Sequence, residues 1–159
     1  MKRKLILLLF PFLLAGCVVH VNVDSSATAG EVPKELSYIV EDLKSRNFDL
    51  EADMDDDDEI DTNTVISWIE AELENQEEYS LITFKSNEDA EKAFETMKQA
   101  ESLDLEKQTS EQEGIFIQTD IEDGSVEAMI LHENHIVIGE REDGNLDALI
   151  QQFTDWKLK

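Results

Sequence analysis

The 159-residue sequence predicts an α+β domain, with an antiparallel sheet of about four strands and helices packed on one face. Three observations carry that expectation. Apolar residues recur at helical spacing in four separate stretches. Alternating, β-prone runs cluster in the C-terminal half. The turn signals between those runs are too short for the crossovers that parallel strands need.

Taken in order, the first helix is expected over 33–47. Pro33 suits a first turn, and Leu36, Ile39, Val40 and Leu43 share one face. A short extended piece, Phe48-Asp49-Leu50, follows. The acidic run Asp53–Asp61 then leads into an expected second helix, 62–75, which would bury Val65, Ile66, Ile69 and Leu73. Residues 79–84 are apolar and β-prone and read as a strand. Over 87–101 the helical signal is strongest. Ser86 with Asp89 makes a capping-box-like start, and Ala90, Ala93, Phe94 and Met97 mark the apolar stripe. After a polar break, strands are expected at 114–121, 126–131 and 135–139. Glu122-Asp123-Gly124 and Glu133-Asn134 supply the turns between them. Asn145 can cap a last helix, 145–156, with Leu146, Leu149, Ile150 and Phe153 on its buried stripe. The segment Tyr79–Leu131 loosely resembles a βαββ piece of a ferredoxin-like fold, an architectural likeness without functional weight.

The N-terminal part has a different character. Lys2, Arg3 and Lys4 precede an apolar run, Leu5–Leu14, that is too short to span a bilayer as a helix and is interrupted by Pro11. The run closes on Leu14-Ala15-Gly16-Cys17, and Cys17 is the only cysteine of the chain. This layout resembles that of bacterial lipoprotein precursors, with Leu14, Ala15 and Gly16 as the signal-peptidase recognition residues of a lipobox. The resemblance implies that Cys17 receives a diacylglyceryl group and that cleavage precedes it. A further acyl chain such as palmitate usually follows. It divides the chain into a cleaved signal peptide, 1–16, an acylated anchor and tether, 17–31, and a single α+β domain, 32–159. Two or more acyl chains, at about 0.8 kcal/mol per buried CH₂, hold a protein at a membrane almost permanently. Val18–Glu31 reads as a tether with a reach on the order of 20 Å. Its alternating start, Val18–Val23, could alternatively join a sheet.

Acylation of Cys17 would leave no thiol for a disulfide, a nucleophile or a metal. Removing residues 1–16 takes away three of the 13 Lys and Arg and none of the 38 Asp and Glu, so the net charge moves from −25 to −28. Such a surface repels nucleic acid and anionic lipid head groups. Cations, basic proteins and neutral ligands remain as partners. The resemblance places the protein in the bacterial cell envelope, lipid-anchored and extracytoplasmic. It implies the outer membrane in a diderm host and the outer face of the cell membrane in a monoderm.

Each candidate for chemistry has a plain structural counterpart. Counting Asp53 as position 1 of an EF-hand loop puts Asp55, Asp57 and Asp61 at positions 3, 5 and 9, oxygen ligands of the kind Ca²⁺ takes. Asp58 stands where that loop needs glycine, however, and Thr64 stands where it needs a bidentate glutamate. A solvated loop whose carboxylates favour the next helix start is the expectation. His132 and His135 flank a hairpin tip and could bind a metal such as Zn²⁺, but no third ligand is assignable. Trp68 and Trp156 could line a ligand patch, although their apolar neighbours favour the core edge. Ser67, Ser80 and Ser110 lack an activating neighbourhood, and neither a nucleophile elbow nor a phosphate-cradling loop is present.

The sequence therefore predicts a membrane-anchored, non-enzymatic binding or accessory module for another envelope protein. No catalytic residue and no cofactor beyond the covalent lipid are assigned. The alternatives are a divalent-cation-binding acidic module, and a hydrolase with its site near the His132–His135 hairpin.

Overall fold

The computed structural model describes residues 32–52, 60–73 and 76–158. The elements run α1 (Ser37–Ser45), β1 (Asp49–Ala52), a 3₁₀ turn (Thr62–Thr64), β2 (Val65–Leu73), β3 (Glu77–Phe84), α2 (Asn87–Glu101), β4 (Lys107–Gln112), β5 (Ile115–Asp120), β6 (Val126–His132), β7 (His135–Arg141) and α3 (Leu146–Asp155). All seven strands form one antiparallel sheet in the order β1-β2-β3-β7-β6-β5-β4. The first three strands meander to the centre. Helix α2 then carries the chain across to the far edge, and β4 to β7 meander back until β7 pairs with β3.

The α+β class and the antiparallel sheet agree with the expectation, and the sheet is larger than the four strands expected. Three differences have physical reasons. The helix expected at 62–75 is strand β2. Val65, Ile69 and Leu73 lie four residues apart, a spacing shared by helical and alternating patterns, and the β-branched and aromatic residues Val65, Ile66, Trp68 and Ile69 favour the pleated surface. The polar break at 107–112 is edge strand β4, whose side chains are almost all exposed and therefore show no apolar period. Helices expected on one face lie on both, because the central strands carry apolar residues on both of their faces.

On one face Ile69, Leu81, Ile117, Ala128 and Val137 pack under Ile39 and Leu43 of α1 and Leu149 and Phe153 of α3. On the other, Ile82, Phe84, Phe116, Met129 and Ile136 pack under Ala90 and Phe94 of α2. Each fully buried aliphatic or aromatic side chain of this kind contributes about 1.5–3 kcal/mol. Helix α2 starts as expected, with the Ser86 hydroxyl accepting from the Asp89 N–H at 3.1 Å and donating to the Asp89 carboxylate at 2.7 Å. Asn145 caps α3 by accepting from the Ala148 N–H at 3.2 Å. Gly139 of β7 is required by packing. A Cβ there would stand 2.7 Å from a ring carbon of Tyr79 and 3.0 Å from Leu149.

Candidate functional site

The sites expected from sequence divide by where they fall. Leu14, Ala15, Gly16 and Cys17 lie outside the described residues, as do Asp53, Asp55 and Asp57. Asp61 is described and caps the 3₁₀ turn. It accepts from the Asn63 backbone N–H at 3.1 Å and from the Asn63 side chain at 3.0 Å, and these hydrogen bonds hold its carboxyl below the usual range. His132 and His135 are brought directly opposite each other across the β6–β7 hairpin. His135 is buried, with Nδ1 3.0 Å from the Thr83 hydroxyl, and burial lowers its pKa. Among the described residues no group of three or more His, Cys, Asp or Glu side chains is placed to hold a metal ion. Trp68 and Trp156 are both buried in the core, Trp156 edge-on to Tyr79 at 4.8 Å.

A different arrangement emerges from strand register. Asp49 of β1 pairs with Glu72 of β2, Glu72 with Glu78 of β3, Glu78 with Glu140 of β7, and Glu140 with Glu127 of β6. Directly paired residues share a face, so five carboxylates form one row across five neighbouring strands. At about 4.8 Å per strand the row spans roughly 19 Å. It continues into Gln118 of β5, opposite Glu127. By alternation along β3, β6 and β7, the row shares its face with Ile82, Met129 and Ile136. Helix α2 covers that apolar end and leaves the acidic end open.

Two clefts mark the open end, and Glu140 belongs to both. One is lined by Glu72, Gln76, Glu78, Glu140 and Glu142 with Leu73 and Glu77. The other is lined by Gln118, Asp120, Asp123, Ser125, Glu127 and Glu140, with Lys107 the single cation on its wall among the described residues. The Lys107 ammonium is 3.2 Å from Glu101, near the end of α2. Burial, then the charges of Glu101, Glu140 and Glu78, push the Glu127 carboxyl up to about 7, with Lys107 acting against them. Burial, then Glu140 and Glu72, likewise raise Glu78. Both carboxylates are held among like charges where a cation would stabilise them.

The opposite face shows the same residue type fully answered. Glu77, adjacent to Glu78, is buried and lies 2.9 Å from Arg46 Nη2 and 3.1 Å from Arg141 Nη1, and it also accepts from the Tyr79 hydroxyl. Arg46 donates on to Gln152 at 2.8 Å, and Arg141 grips Asp143 through two bonds at 3.0 and 2.8 Å. Asp42 accepts from the Trp156 indole at 3.0 Å. This network ties α1, β3, β7 and α3 together. Burial, followed by the Glu77 carboxylate, raises the Tyr79 pKa and keeps the phenol a neutral donor.

Sequence reasoning missed the acidic row because Asp and Glu occur almost everywhere in the chain. Its only trace is a glutamate at the outward position of several alternating strands, which becomes a row once the register is known. Chemically, the arrangement can bind positive charge over an extended strip. No protein-family model, curated protein or solved structure matches the chain.

Proposed function

We propose that this chain is a lipid-anchored, non-enzymatic module of the bacterial cell envelope that binds a basic surface of another envelope protein. The single observation that carries the binding half is the row of five paired carboxylates on the open end of the sheet. Like charges placed directly opposite one another on a sheet cost stability, and a basic partner removes that cost. The anchor half rests on Leu14-Ala15-Gly16-Cys17 and on the basic, apolar leader before it. A net charge near −28 would keep the tethered domain off an anionic membrane surface and speed its encounter with a basic partner. The loose likeness of Tyr79–Leu131 to a ferredoxin-like βαββ piece supplies no functional argument.

The test uses the full chain in its native membrane. A photo-crosslinking side chain in place of Glu78 should capture a discrete protein, and the same group in place of the exposed Asp147 on α3 should not. Salt at about 0.5 M, where exposed charges interact over only a few ångströms, should weaken the capture. Failure to capture a reproducible adduct from position 78, or identical adducts from both positions, rejects the binding half. Cys17→Ser should abolish fatty-acid incorporation and release the protein from the membrane. An acyl-free protein that stays membrane-bound rejects the anchor.

A further inference from the structure

Gln118 gives the acidic row a chemically distinct end. The residue is 3% exposed, and its Oε1 has no hydrogen-bond partner although it is buried. A buried acceptor left unmade costs about 1–3 kcal/mol, and most such groups in folded proteins find a partner. The side chain lines the same cleft as Glu127 and Glu140, and the three stand side by side on β5, β6 and β7. One amide and two carboxyl side chains thus line one opening.

We propose that Gln118, Glu127 and Glu140 form a socket for a single arginine side chain of the basic partner, a proposal that rests on the acidic-row reading and names the residue it recognises. Three arguments select a guanidinium. Its donors spread over a plane and can address acceptors on adjacent strands about 4.8 Å apart, whereas an ammonium concentrates three donors at one point. It is also more weakly hydrated than an ammonium, which suits a half-buried carboxylate such as Glu127. The third is internal to the fold. On the other face of β3 and β7, one row position away, buried Glu77 is met by the guanidinium groups of Arg46 and Arg141. The socket has the same demand, and among the described residues no guanidinium lines it, only the Lys107 ammonium.

The surroundings suit a protein ligand. Ile121, 57% exposed, sits in the β5–β6 turn between cleft residues Asp120 and Asp123. Its N–H donates to the Glu106 carbonyl at 2.9 Å, which joins that turn to the loop bearing exposed Leu103 and Leu105. Apolar side chains beside a partly desolvated charge pair are the usual composition of a binding hot spot.

The experiment titrates the acylated protein, in a neutral detergent, with acetyl-arginine-amide, acetyl-lysine-amide and hexa-arginine, followed by NMR of the Gln118 side-chain amide. Acetyl-arginine-amide should shift that resonance and bind about tenfold more tightly than the lysine compound, the size expected for a lost hydrogen bond to a charged group. Gln118→Leu and Glu127→Gln should each weaken it by about tenfold, and Asp147→Asn, at an exposed position of α3 outside the row, should leave it unchanged. Glu127→Gln removes a repelling charge and is expected to fold at least as well as the parent, so loss of binding there reports on the socket. Equal response to the two amino acids, unchanged binding in both socket variants, or a Gln118 amide proton already bonded to Glu127 in the free protein overturns the proposal. Hexa-arginine separates the two levels. If its binding survives Gln118→Leu and Glu127→Gln but falls with Glu72→Gln and Glu78→Gln, the socket is wrong and the row reading stands. If it does not bind the parent at physiological ionic strength, the row reading falls.

Discussion

Glu77 and Glu78 are neighbours in sequence, yet β3 sends them to opposite faces of the sheet and to opposite electrostatic surroundings. Glu77 pairs across the strands with Arg141, and Glu78 pairs with Glu140. On the first face two guanidinium groups and a phenol satisfy a carboxylate with an 8% exposed side chain. On the second, carboxylate follows carboxylate for five strands. The difference teaches which polar groups this fold uses to hold itself together. A buried charge with partners from α1, β7 and the adjoining tyrosine locks elements in place, and its removal strands the partners. A row of like charges adds little to cohesion, and the role proposed for it is to meet a basic partner.

The largest test of that contrast is to delete each glutamate in turn. Glu77→Ala should destabilise the domain by about 3–5 kcal/mol, since it leaves the half-buried Arg46 and Arg141 without the carboxylate that joins them and the buried Tyr79 hydroxyl without its acceptor. Glu78→Ala should be neutral or slightly stabilising, because it relieves repulsion from Glu72 and Glu140. Thermal melts of the two variants at pH 7 decide the matter. Similar losses from both would mean that the two faces are not energetically different.

A smaller effect, of opposite sign, is expected at Glu127. Its pKa in the folded chain is about 7, above the value it has when unfolded, so its ionisation opposes folding. The Glu127 contribution to the parent's stability should therefore fall as pH rises from about 4 through 7, and Glu127→Gln should escape that loss. At pH 8 the variant should be more stable by about 1 kcal/mol, less than the full shift implies because the half-exposed group is screened. That corresponds to a melting point higher by about 3–5 °C, and the gap should close near pH 4. A gap that is the same at both pH values would break the assignment of the strain to this carboxylate.

These expectations rest on strand register, which is also what divides the legible part of the fold from the rest. Ser86 and Asn145 were readable as helix caps because a cap is a local hydrogen bond within three residues. The turns at Gly124 and Glu133, both at positive φ, were readable because turn chemistry is local too. Strand β2 was not, since Val65, Ile69 and Leu73 satisfy two periods at once and only pairing with β1 and β3 decides between them. The polar edge strand β4 carries no apolar signal, and it exists because β5 offers it a ladder. Arg46, Glu77 and Arg141 stand 31 and 64 residues apart, so nothing local announces their union. The acidic row is the extreme case. Each member is one glutamate or aspartate among 38, and only the register makes five of them a strip.

The smallest effect falls on the cohesive face, at its exposed rim. Asp143 is held down to about 2, first by the hydrogen bonds from Arg141 and then by the Asn145 backbone N–H. A carboxyl lowered in the folded chain stabilises it above the ordinary carboxylate range, and that contribution is lost as pH falls from about 4 through 2. Asp143→Asn should therefore melt only slightly below the parent at pH 7, and the two should converge near pH 2. The effect is small because Asp143 is solvent-exposed and Arg141 keeps its contact with Glu77. If Asp143→Asn instead cost as much as Glu77→Ala, Arg141 would depend on Asp143 for its position. The cohesion assigned to Glu77 would then belong to the whole chain of charges from Arg46 to Asp143.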